Sequence, residues 1–338
     1  MTKRNRFIDV LKGICIIFVI ITHLQWTNEE YDKFFFNYWR DMAVPILMIV
    51  SGYVYSLSFE RKRIENMSDA YSVKTLVTPI IRYTLPYVIF FITQLTVVYL
   101  IPHKQIGLLN IISLFIQGGI GPGSYYYPIL IQFVFLFPLI YFTVKKYRMK
   151  GFIICAIANA VFELLQWGYG MNSGFYRLVI FRYILVIAYG CYIATADYKP
   201  NIPLCIMSVV IGGLFITATR YWNYTPTVIR YWVSTCFIAS LFILPPTMLM
   251  IKKLHFGFAP LEIIGKASYH IFICQMFYFN DPSRIYNAIE NRWLEMLISI
   301  LICLAGGIAF YYAEMPLSNL VKKLTGKLLA TKYFSKEV

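Results

Sequence analysis

The chain has 338 residues, 59% of them hydrophobic and only 14% charged, with a formal net charge of +15. A soluble globular domain carries about a quarter charged residues, so this composition excludes an ordinary soluble fold. The basic surplus sits in short segments between apolar runs, as in the loops of membrane proteins, so nucleic acid is not an expected partner.

Ten apolar stretches approach the ~20 residues needed to cross a hydrocarbon core. They lie near 10–27, 41–59, 79–101, 125–143, 151–168, 177–195, 203–219, 230–251, 266–279 and 294–313. The predicted fold class is therefore all-α. It is a polytopic transmembrane bundle of about ten helices, forming one domain over residues 1–338 with the lipid bilayer as its surroundings. The ninth stretch is the shortest, with a start drawn toward Pro260. Leu108–Ile116 is apolar but too short to span, and reads as an interfacial or re-entrant piece ended by the glycine-rich run Gly118–Gly123. The first apolar run has a charged start but no small-residue cleavage site after it, so it is expected to stay as the first helix.

With the N-terminus placed inside, 21 Lys and Arg fall on the inner segments and 8 on the outer ones, while Arg82 and Arg182 lie within helices. That bias predicts cytoplasmic N- and C-termini and an even number of spans. The seven cysteines lie in or beside apolar runs and form no C-x-x-C, so they read as small buried hydrophobes and no metal site is expected.

Ionisable residues inside a membrane are expensive, and each needs a partner or a function. The first helix carries Asp9, Lys12 and His23. Asp9 and Lys12 are three apart and neighbour each other on one face. Lys12 and His23 are eleven apart, which places them on nearly the same face about 16 Å apart along the axis. A cation at one end and an imidazole deeper in suit a substrate with an anionic head and a long arm. The alternative is that Lys12 snorkels to the interface and His23 makes an ordinary interhelical hydrogen bond.

Further along, Arg82 reads either as a phosphate-binding cation or as an interfacial anchor. Glu163 and Arg182 are expected to be structural partners. Glu314 closes the last helix just before Met315-Pro316, where it caps or pairs with a cationic mouth. Ser51-Gly52 sits mid-helix, where Gly permits close helix approach and Ser can bond across a helix interface. No Walker loop, no G-x-G-x-x-G after a strand and no Ser-His-Asp signature is present, which excludes ATP-driven transport and soluble-type hydrolase chemistry. A secondary transporter of a small anionic or sugar-like substrate is the alternative function class, but it predicts matched Gly/Pro interruptions in two halves, and none is evident. A non-catalytic sensor or assembly protein is a third class, in which His23 would be replaceable.

Four motifs together resemble the acyltransferase 3 family of integral membrane acyltransferases over nearly the whole chain. They are Arg6-Phe7-Ile8-Asp9-Val10-Leu11-Lys12-Gly13 with His23; Val44-Pro45 through Ser51-Gly52-Tyr53; Arg82 with Pro86-Tyr87; and Gly265-Lys266-Ala267-Ser268-Tyr269 with Glu314-Met315-Pro316. Lys12 holds a basic position that is more usually Arg. Three departures stand out. Pro79 replaces a frequent basic residue, Gly123-Ser124-Tyr125-Tyr126-Tyr127 stands where a Trp is frequent, and Gln275 stands where a His is frequent. The resemblance implies an O-acyltransferase that takes an acyl group, by default acetyl, from cytoplasmic acetyl-CoA as co-substrate. The implied acceptor is a hydroxyl of a cell-surface carbohydrate or lipid-linked glycan. It also implies a multi-pass protein of a bacterial plasma membrane. Lys12 and Arg82 would bind the CoA head, Asp9 would orient Lys12 or shape the inner mouth, and His23 would be general base or acyl carrier.

Overall fold

The computed structural model describes residues 5–196, 200–222, 224, 237–281, 283, 285 and 288–334. Helix accounts for 80% of the described residues, and no strand occurs among them, as expected where lipid offers no partner for backbone N–H and C=O groups. The helices are α1 (Phe7–Thr22), α2 (Asn28–Lys33), α3 (Ala43–Arg61), α4 (Met67–Ala70), α5 (Val73–Leu95), α6 (Leu108–Ile116), α7 (Tyr126–Tyr147) and α8 (Met149–Gly168). They continue as α9 (Ser173–Leu178), α10 (Ile184–Thr195), α11 (Ile202–Ile216), α12 (Leu244–Lys253), α13 (Ala259–Lys266), α14 (Ser268–Tyr278) and α15 (Arg292–Phe334).

Among the described residues, six helical stretches are long and apolar enough to cross a membrane: Phe36–Arg61, Met67–Leu100, Tyr126–Tyr147, Met149–Gly168, Ile202–Tyr221 and Arg292–Lys327. They hold six of the ten expected spans, and the protein is a multi-pass membrane protein. The other four expected spans take different forms. The first is the 16-residue α1. The sixth is broken into α9, a 3-10 turn at Ile180–Tyr183 and α10. The eighth begins in residues outside the described set and resumes as a 3-10 turn at Ile238–Phe242 followed by α12. The ninth is two short helices, α13 and α14, that meet at Ala267. The C-terminal helix departs from expectation, because α15 runs through Pro316 to Phe334 instead of closing at Glu314. A proline removes one intrahelical hydrogen bond, a loss that helices in a membrane tolerate.

The chain divides into two units, with one boundary inside α7 at Pro138 and another at the start of α14. The first unit comprises residues up to Ile64 and Leu139–Ser268. At its centre α1 is buried on nearly all sides, from Phe7 to Ile21, and packs against α13 and α3. A second close crossing joins α3 to α10. Gly52 makes it possible, because a Cβ there would overlap the backbone carbonyl of Ile187. The Ser51 hydroxyl donates within its own helix, to the Leu47 carbonyl at 2.8 Å. In contrast, α11 buries only Gly212 and Ile216, leaving Ile202, Ile206, Val210 and Leu214 outward. Such apolar exposure suits contact with lipid tails.

The second unit comprises Glu65–Pro138 and the chain from Tyr269 onward. Here α5 packs on α15. The piece expected to be too short to span is the nine-residue α6. The glycine run after it has positive φ at Gly118, Gly119, Gly121 and Gly123, a region that side chains with a Cβ seldom adopt. Gln94 of α5 clamps this loop at both ends of one residue. Its Nε2 donates to the Ile120 carbonyl at 2.6 Å, and its Oε1 accepts from the Ile120 N–H at 3.1 Å.

Candidate active site

In the first unit, Asp9 and Lys12 form the pair their spacing predicts. Lys12 Nζ lies 2.7 Å from Asp9 Oδ1, with Asp9 buried and Lys12 partly open. Helix α13 approaches so closely here that a Cβ on Gly265 would overlap the Asp9 carbonyl. That contact fixes the turn of α1 bearing both charges. At the same end Arg6 holds Glu262 of α13 at 2.6 Å. The Glu262 carboxylate, through its hydrogen bond and charge, raises the pKa of the exposed Arg6 guanidinium.

His23 caps the opposite end of α1, with its backbone N–H donating to Ile20 O at 3.1 Å. The chain after it is short and tightly determined. Thr27 and Glu30 form a capping box that starts α2, satisfying two N–H groups that an uncapped helix would leave open. A 3-10 turn at Phe36–Tyr38 follows. The chain then passes Arg40-Asp41 into α3. This connection folds back on the end of α1. The Trp26 indole donates to Ile21 O at 2.8 Å, its ring meets Phe36 at 4.8 Å, and Phe18 of α1 meets Trp39 at 4.8 Å.

Arg40 lies inside that aromatic wrap and is 2% exposed. Its guanidinium carbon is 4.3 Å from the ring centroids of both Tyr31 and Phe36. Its Nε and Nη2 donate to Asp41 Oδ1 at 3.0 and 2.8 Å. The other Asp41 oxygen accepts from the Tyr31 hydroxyl. Burial, and then the charge of Asp41, push the Tyr31 pKa up, so this hydroxyl remains a donor at neutral pH. The Arg40 charge acts on the His23 imidazole.

Glu163 and Arg182 are brought together through a third residue. The Tyr176 hydroxyl donates to Glu163 Oε1 at 2.8 Å, and the Arg182 guanidinium lies 5.0 Å from the Tyr176 ring centroid. Both side chains are buried, in keeping with a structural role.

In the second unit Arg82 is exposed on α5. Its charge reaches His270 of α14 and Lys322 of α15. His270 Nε2 lies 3.3 Å from Glu314 Oε2, while His270 Nδ1 and Glu314 Oε1 are buried without a hydrogen-bond partner among the described residues. Glu314 thus pairs with a histidine. Gln275 is fully buried, and both of its side-chain polar atoms likewise have no partner among the described residues. The same unit holds an apolar cavity of ≈ 510 Å³ between α5, α14 and α15, with Phe90, Thr93, Cys274, Cys303 and Phe310 in its wall and no charged residue.

Sequence reasoning missed two residues. Arg40 directly precedes the second expected span, near 41–59, and by position reads as one of the outer loop cations, although its neighbour Asp41 and the flanking aromatics signal a folded-in cation. His270 directly follows the Gly265–Tyr269 motif, and its place as the partner of Glu314 depends on a contact between residues 44 positions apart.

A family model described as an acyltransferase domain, that of the acyltransferase 3 family, matches residues 5–312. No curated protein and no solved structure matches the chain.

Proposed function

The chain belongs to this acyltransferase family, and from that premise we propose that it is a membrane-embedded O-acyltransferase moving acetyl from cytoplasmic acetyl-CoA to a hydroxyl of a cell-surface or lipid-linked carbohydrate. The observation carrying the proposal is the placement of two groups on one buried helix. An anchored cation, Lys12, lies near one end of α1 and an imidazole, His23, caps the other. Coenzyme A has an anionic phosphate head and a long arm ending in the thioester, and the ~16 Å between these groups matches that shape.

In this reading both termini are cytoplasmic, so Lys12 meets the donor where it is made. Asp9 holds the ammonium toward the phosphates, and the contact is charge-assisted. Arg82, in the second unit, is a further cation for binding CoA phosphates. His23 acts as general base toward the acceptor hydroxyl, or takes the acyl group itself before passing it on. Membranes carrying the His23→Ala variant, supplied with labelled acetyl-CoA, test the reading. Label should enter glycan or lipid-linked material with the native protein and not with the variant. Equal labelling by the two would remove His23 from the chemistry, and no protein-dependent labelling would reject acyl transfer.

A further inference from the structure

The proposed reaction places negative charge where α1 ends. When the acceptor oxygen attacks the thioester carbon, a C–O bond forms and the carbonyl π pair moves onto oxygen. His23 takes the hydroxyl proton. Collapse restores the C=O bond, breaks the C–S bond, and the departing thiolate recovers the proton from the imidazolium. The intermediate oxyanion needs a preorganised donor in a water-poor site. His23 cannot supply one while it holds the transferred proton for return to sulfur.

Arg40 has the properties that such a donor needs. It is a permanent cation, 2% exposed, packed against the Tyr31 and Phe36 rings and held by Asp41 through Nε and Nη2. These contacts occupy one edge of the fork. Nη1, which points away from that edge, is buried with no hydrogen-bond partner among the described residues. Leaving a charged donor buried and unpaired is costly, so the position calls for a function. The tie to His23 is structural. Trp26 bonds the last turn of α1 and packs on Phe36, which itself lies beneath Arg40, and Phe18 grips Trp39, the residue before Arg40.

We propose that Arg40 is the oxyanion-stabilising residue of this protein, presenting Nη1 to the negative oxygen formed during acyl transfer beside His23. Asp41 and Tyr31 are positioning residues that hold the fork in place. The proposal rests on the acyltransferase reading given above.

The test uses the full chain in native membranes with labelled acetyl-CoA, and purified protein for coenzyme A binding and thermal unfolding. Loss of one oxyanion donor costs about 10²–10³-fold in kcat in enzymes where it has been removed. Arg40→Gln should lower kcat by about 10²-fold while the KM for acetyl-CoA and coenzyme A binding stay as in the native protein. Arg40→Lys keeps the charge and loses the fork, so it should fold and still lose at least about tenfold. Native-like kcat in Arg40→Lys and Arg40→Gln would overturn the proposal. So would a defect confined to the KM for acetyl-CoA. If Arg40→Gln does not fold, Arg40→Lys alone decides the matter by the same criterion. Failure of the native protein to transfer label refutes the acyltransferase reading. Activity that needs His23 but not Arg40 refutes only this inference.

Discussion

Replacing Gly52 with alanine probes the crossing that holds α3 against α10. The added methyl would overlap the carbonyl of Ile187, and its nearest neighbours are all backbone atoms of that residue. No side chain can rotate away, so the two helices must separate by a large part of an ångström. The contact also includes the reverse approach of Gly190 to Ile49, which the same separation would loosen. Overpacking of this kind costs about 1–3 kcal/mol, and alanine's better helix propensity returns less than about 1 kcal/mol. The net change should be destabilising by about 1–2 kcal/mol, seen as a lower midpoint of thermal unfolding in detergent. Gly306→Ala is the control. It lies in α15, where nothing stands within 4 Å of an added Cβ, so the propensity gain is unopposed and the midpoint should hold or rise. An unchanged midpoint for Gly52→Ala, or equal falls for both variants, would refute the steric argument.

Three other outcomes follow from the contacts described. Asp9→Asn removes the anchor of Lys12 and should raise the KM for acetyl-CoA about tenfold, the equivalent of ~1.4 kcal/mol for a partly solvated charge pair, with a smaller change in kcat; a fall in kcat alone would place Asp9 elsewhere in the chemistry. Gln94→Leu strips both hydrogen bonds from Ile120 and should cost about 2–3 kcal/mol, with faster proteolysis between Gly118 and Gly123 as the readout. Glu163→Gln keeps an oxygen for the Tyr176 hydroxyl and should change thermal stability little, whereas Glu163→Leu removes both the acceptor of that hydroxyl and the carboxylate near Arg182 and should destabilise by about 2–4 kcal/mol.

Much of this protein was legible in the sequence because lipid imposes a coarse and local rule. Long apolar runs become helices whatever surrounds them, so six expected spans fall on helices of sufficient length. The Asp9–Lys12 pair was equally local, since three positions on a helix are neighbours by geometry alone. The family motifs lie in such segments, and they carried the acyltransferase assignment that the family match supports. Other features depended on residues far apart in the chain. Pro316 reads as a stop, yet α15 continues, because one lost hydrogen bond is minor beside the packing of a 43-residue helix. Glu314 lies 3.3 Å from His270, a residue 44 positions away, and also feels the charge of Lys322. Arg40 counts as a loop cation by position, but the return of the chain over α1 buries it against the rings of Tyr31 and Phe36. Composition and periodicity record what each segment needs from its solvent. They do not record which buried polar group meets which, because that depends on helix crossings set by the backbone approaches at Gly52 and Gly265.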